Sequence, residues 1–95
     1  MYSREIISLD RARQLIRKIN QRKKAKKKTT ELEVEYATLC KSLEPFIDSI
    51  EDEELKYIIT NYYINGESWT LIGESIYLHR TTCEKRVKKY LVERG

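Results

Sequence analysis

Three observations predict an all-α fold. The 95 residues hold only three Gly and one Pro, too little turn material for the many tight reversals of an all-β chain. Apolar residues return at three- and four-residue steps, the period of one helix face. Helix-entry residues stand just ahead of those stripes, at Thr30, Asp52 and Ser68. The expected layout is an N-terminal helical hairpin or arm over 1–45, followed by a three-helix unit over 46–95.

The first helix is expected over 5–20, where Ile6, Leu9, Ala12, Ile16 and Ile19 share one face. A second helix restarts at "TTELEVEYATLCKSLEPF", with Thr30 and Glu33 at the spacing of a capping box. Its stripe, Leu32, Tyr36, Leu39, Leu43, Phe46 and Ile50, is the pattern of a helix packed on one or two partners. Pro45 lies inside it and predicts a kink or a new helix start. Two arrangements stay open for these helices: folding back on each other as an antiparallel hairpin, or pairing across a homodimer.

The third helix begins at Asp52, a capping residue followed by Glu53 and Glu54, both well placed against the helix dipole. Leu55, Ile58, Ile59 and Tyr62 are its expected buried face, with Tyr63 beside it. Asn65 and Gly66 end it. Ser68 caps a fourth helix of about two turns, "WTLIGESI", in which Trp69, Ile72 and Ile76 face inward. "YLHR" is too short for anything but a sharp change of direction. The last helix then presents Cys83, Val87, Tyr90 and Leu91 on its inner face.

Charge is distributed in blocks. Residues 1–30 hold eleven Lys or Arg against two acids, and 31–54 hold nine acids against Lys41 alone. Residues 79–95 return to six basic residues against Glu84 and Glu93. Basic segments flanking an acidic middle point to a polyanionic partner. The densest run is Arg22, Lys23, Lys24, Lys26, Lys27 and Lys28, read either as a solvated helix end or as non-specific contact with nucleic-acid phosphates.

Residues 69–93 carry the pattern of a helix-turn-helix, in which a bracing helix holds a second helix for the major groove. Gly73 falls where the helices cross, and Leu78 can plug the core from the turn. With Cys83, Val87, Tyr90 and Leu91 inward, Thr81, Lys85, Lys88 and Lys89 point outward. Arg80 and Thr82 stand near the helix start, where Arg can make bidentate contact with guanine and Thr can meet a base edge or a thymine methyl. Arg86 lies on the flank, where phosphate is the expected contact. Glu84 is read as a cap for the helix start through Thr81, the other reading being an acceptor for a cytosine amino group.

The stretch "IEDEELKYIITNYYINGESWTLIGESIYLHRTTCEKRVKKYL" resembles region four of the sigma-70 family, and more closely the sigma-like late-gene activators of phages and prophages of Gram-positive bacteria. The similarity covers residues 46–92, about half of the chain. It implies promoter-DNA binding through a recognition helix at about 80–93, with Arg80, Thr81, Thr82, Glu84 and Lys85 as the base-reading set, and contact with RNA polymerase. His79 stands where that family usually places Ser or Thr, and Cys83 where a β-branched residue is common. A separate promoter-melting domain does not fit within 95 residues, so a complete sigma factor is not expected.

Three functions are weighed on these grounds. The leading one is a sequence-specific regulator of transcription on double-stranded DNA, whose N-terminal helices dimerise or contact polymerase. The others are a small-terminase-like protein that recruits DNA for packaging, and an adaptor that binds polymerase through its acidic helix. No enzyme, cofactor or metal site is expected: His79 is the sole histidine, and no phosphate-binding glycine loop or catalytic triad is present. Cys40 and Cys83 are read as core residues. No apolar run approaches membrane-spanning length, and "MYSREIISLD" lacks the apolar core of a signal peptide, so a cytoplasmic location in a bacterial host is expected.

Overall fold

The computed structural model describes residues 4–94, and every regular element among them is helical. In order these are α1 (Arg4–Lys24), α2 (Thr30–Asp48), α3 (Glu53–Ile59), α4 (Trp69–Ile76) and α5 (Arg80–Arg94). Helix α3 runs directly into one wider π-helical turn, Thr60–Ile64.

Helix α1 buries Leu9, Ala12, Leu15 and Ile19. Leu15 therefore takes the place expected of Ile16, which is half-buried on the flank, beside Gly66. The helix also extends beyond residue 20 into the basic run. Three cations in its last turn complement the partial negative charge of a helix C-terminus. It is closed by a Schellman motif built on Lys26 at φ 57°: the Lys27 N–H reaches the Arg22 carbonyl at 2.9 Å and the Lys26 N–H the Lys23 carbonyl at 3.1 Å.

Of the two arrangements left open, α1 and α2 fold back on each other within one chain. Arg11 Nε meets Glu35 at 2.7 Å and Lys23 Nζ meets Glu33 at 2.9 Å across the pair. Both ion pairs are solvent-exposed and orient the helices more than they stabilise them. The expected Thr30 capping box does not form. Thr29 precedes the helix instead, and Glu33 is drawn to Lys23. No new helix starts at Pro45, since α2 continues unbroken to Asp48. Lys41 and Pro45 are both exposed, so the carbonyl deprived of its helical donor lies on the solvated side.

Asp52 caps α3 as its position predicts, its carboxylate accepting from the N–H groups of Glu54 at 3.0 Å and Leu55 at 3.1 Å. The buried face is Leu55, Ile58, Ile59 and Tyr63, with Tyr62 only half-buried. This reverses the expected order of the two tyrosines. In the wider turn the Asn65 N–H reaches back five residues to the Thr60 carbonyl at 3.1 Å, which rotates the helix face between Ile59 and Gly66. Tyr63 enters the core, where burial pushes its phenol up to about 12. Tyr62 turns outward and stacks on Trp69, with ring centroids 3.6 Å apart.

One apolar cluster draws on every helix. It joins Leu9 and Ala12 of α1, Leu43 and Phe46 of α2, Ile50, and Leu55, Ile58 and Ile59 of α3 to Ile72 of α4 and Cys83, Val87 and Leu91 of α5. The boundary expected at residues 45 and 46 falls inside α2, and α1 packs on the π-helical turn. No described helix is long and apolar enough to cross a membrane.

Candidate nucleic-acid interface

The α4–α5 pair is set by three local devices. Ser68 Oγ accepts the Leu71 N–H at 3.2 Å and starts α4. At the other end Tyr77 adopts φ 60°, ψ 37°, and both its N–H and that of Leu78 turn back to the Gly73 carbonyl. Helix α5 begins at Arg80, after only Leu78 and His79. Gly73 is the close point of this turn. A Cβ there would lie 2.3 Å from the Leu78 carbonyl oxygen and 3.4 Å from the Arg80 nitrogen. The small residue expected at the crossing is thus required by backbone of the turn itself.

His79 precedes α5 and accepts the Thr81 N–H through Nδ1 at 3.2 Å. An imidazole nitrogen does here what a Ser or Thr hydroxyl does at most helix starts, so the residue is a working cap. Glu84 does not close the helix start through Thr81. Its carboxylate instead accepts from Lys88 Nζ at 2.6 Å, one turn further along α5.

The inner face of α5 is Cys83, Val87 and Leu91, all buried, with Tyr90 half-buried against Phe46. Burial pushes the Cys83 thiol up, as befits a small core residue. Cys40 is half-buried, and both cysteines are free. Thr81, Thr82, Lys85, Lys88 and Lys89 are exposed away from that face, and Arg80 is exposed at the helix start, one turn ahead of Cys83. Among the expected DNA-contacting residues, Arg86 has a different environment. Its guanidinium is half-buried and bridges to Glu54 and, at 3.0 Å, to Asp52, both at the start of α3. Arg86 is therefore a brace between α5 and α3. The carboxylates raise its affinity for the proton, and the backbone N–H of Leu55 with the Arg86 charge holds Asp52 below the ordinary carboxylate range.

The basic run Arg22, Lys23, Lys24, Lys26, Lys27 and Lys28 is exposed at the end of α1 and in the connection to α2. Lys23 is engaged by Glu33. Two contributors were not foreseen from the sequence. Arg13 of α1 lies over the Tyr62 ring, 3.7 Å from its centroid, and donates to the carbonyls of Tyr62 at 2.6 Å and Glu67 at 2.9 Å. It ties α1 to the segment that leads into α4. Tyr77, in the turn, is 95% exposed, a rare setting for a bulky residue at positive φ. The short span between Ile76 and Arg80 signalled a sharp change of direction, but neither the left-handed residue nor its exposure.

No protein-family model matches the chain, and neither curated proteins nor solved structures provide a match.

Proposed function

We propose that this chain is a sequence-specific DNA-binding regulator of transcription, in which α4 and α5 act as a helix-turn-helix and α5 enters the major groove. The observation that carries the reading is the two-sidedness of α5. Cys83, Val87 and Leu91 are buried in the core, while Thr81, Thr82 and Lys85 project from the first turns and Arg80 stands exposed at the capped helix start. A recognition helix needs that division, because base edges are met by residues near its N-terminus and the helix must be braced from behind. Arg80 is the candidate for a guanine, Thr81 and Thr82 for base edges or thymine methyls, and Lys85, Lys88 and Lys89 for phosphates. Arg86 braces the helix from its flank. The resemblance of residues 46–92 to sigma region four supports the same reading and adds RNA polymerase as a second partner.

Selection of bound fragments from a random duplex pool tests this. The wild type is expected to enrich a consensus, and Arg80→Glu and Lys85→Glu to lose it while keeping the wild-type circular dichroism and melting curve. Enrichment of the same consensus by both variants would show that another face reads the DNA. Absence of any enrichment by the wild type would remove the function.

A further inference from the structure

A groove separate from the α5 face opens between α1 and the segment that leads into α4. It has a volume of about 440 Å³ and is lined by Arg17, Asn20, Gln21, Lys24 and Gly66. The four side chains stand at i, i+3, i+4 and i+7 and so form one polar stripe along α1. Two cations and two amides line it, with no carboxylate and no aromatic ring among them. That lining suits an anion and offers no platform on which a base could stack.

The groove is held open by specific contacts. Gly66, at φ +73°, brings its backbone so close to α1 that a Cβ would lie 2.9 Å from Ile16 Cγ2. Arg17 Nη1 donates to the Gly66 carbonyl at 3.2 Å, which holds a guanidinium at the groove edge. Arg13 pins the same segment through the carbonyls of Tyr62 and Glu67. Two residues beyond Gly66 stands Ser68, the cap of α4. When the second helix of a helix-turn-helix lies in the major groove, the first crosses the sugar-phosphate backbone. Backbone N–H groups at helix starts are among the common phosphate contacts. The α1 groove borders that end of α4.

We infer that this groove receives a backbone phosphodiester of the same DNA, which makes α1 a second DNA-contacting element, with Arg17 and Lys24 supplying the charge. The inference rests on the helix-turn-helix reading. It differs in kind from attraction by the exposed lysines at 26–28, because Arg17 is already ordered by the Gly66 carbonyl and loses less freedom on binding.

Fluorescence anisotropy decides it, using the selected duplex and a scrambled duplex across a series of salt concentrations. Each neutralised phosphate contributes about 0.9 to the slope of log affinity against log salt, or roughly fivefold in affinity at 0.15 M salt. Arg17→Gln and Lys24→Gln should each lower the slope by a part of that amount, and the double variant by about the whole of it, since the two cations share one phosphate. The loss should be equal on both duplexes, leaving the preference between them unchanged. Arg17→Lys should retain the slope. Lys24 is exposed, and the circular dichroism and melting curve of its variant separate a loss of contact from a loss of fold. Wild-type slopes in both glutamine variants, with discrimination still lost in Arg80→Glu, would overturn the groove and leave the α5 reading standing. A loss confined to the selected duplex would overturn it too, since phosphates carry no sequence. If the wild type binds neither duplex, both readings fall.

Discussion

Replacing Gly73 with alanine isolates the contact that sets α5 against α4. In an ordinary helix interior the change would stabilise the protein by about 1 kcal/mol, since glycine loses more backbone freedom on folding. Here the new methyl carbon would sit 2.3 Å from the Leu78 carbonyl oxygen, whereas close carbon–oxygen contacts run to about 3.3 Å. Some 1 Å of movement is therefore needed, and the obstacle is backbone, so no rotamer change supplies it. The turn would have to swing away, loosening the 2.9 Å bond from the Leu78 N–H to the Gly73 carbonyl and lifting half-buried Leu78 from the core. Overpacking of this kind costs about 1–3 kcal/mol, and a backbone clash lies at the upper end. Against the propensity gain, a net loss of about 2 kcal/mol is expected, or roughly 8–16 °C in Tm for a domain of this size. Thermal unfolding followed by circular dichroism measures it, with Glu74→Ala, one residue along on the exposed side, as a control expected to stay within about 0.5 kcal/mol. A Gly73→Ala protein as stable as the wild type would refute the claim that close approach of the turn dictates glycine at this position.

The same turn gives a prediction of opposite sign. Tyr77→Gly should stabilise the fold by about 1 kcal/mol, because a left-handed conformation costs a bulky residue about that much and a 95% exposed ring has no packing to lose; an unchanged or lower Tm would count against the strain. Acid titration probes the brace between α3 and α5. Asp52 is held below its ordinary value of 3.8, so its contribution is complete above that pH and fades as pH falls through the lower folded value. Asp52→Asn, which still caps but no longer attracts Arg86, should melt below the wild type at pH 7, and the two curves should converge under about pH 4. Parallel curves down to pH 2 would show that the charge at this position is immaterial.

The π-helical turn illustrates how far local pattern extends. Ile58 and Ile59 were placed in the core by their spacing, and α3 follows that spacing through Ile59. Beyond it the five-residue hydrogen bond from Asn65 to Thr60 shifts the phase, and Tyr63 takes the buried place while Tyr62 leaves it. The exchange has a use in the fold. An outward Tyr62 ring is sandwiched between Trp69 and the Arg13 guanidinium, and this stack locks α1 to the entrance of α4. A period of 3.6 residues cannot foresee a turn of different width, and the partners that favour it are a helix away.

What this sequence determined by itself is whatever depends on neighbours along the chain. The caps at Asp52 and Ser68 are legible because a side-chain oxygen reaches an N–H two or three residues on. The inner face of α5 is legible because Cys83, Val87 and Leu91 repeat with the helix, and Gly73 because a short turn leaves no room for a methyl group. The tertiary structure decided the pairings between residues far apart in sequence. Arg86 and the α3 start are separated by more than thirty residues, and Arg13 and Arg17 reach carbonyls about fifty residues away. No arginine in a basic sequence announces whether it will meet solvent, a carboxylate or a carbonyl. That choice belongs to the packing of α1 and α5 around one core, which turned Arg86 from a phosphate candidate into a brace and set Arg17 at the edge of a groove.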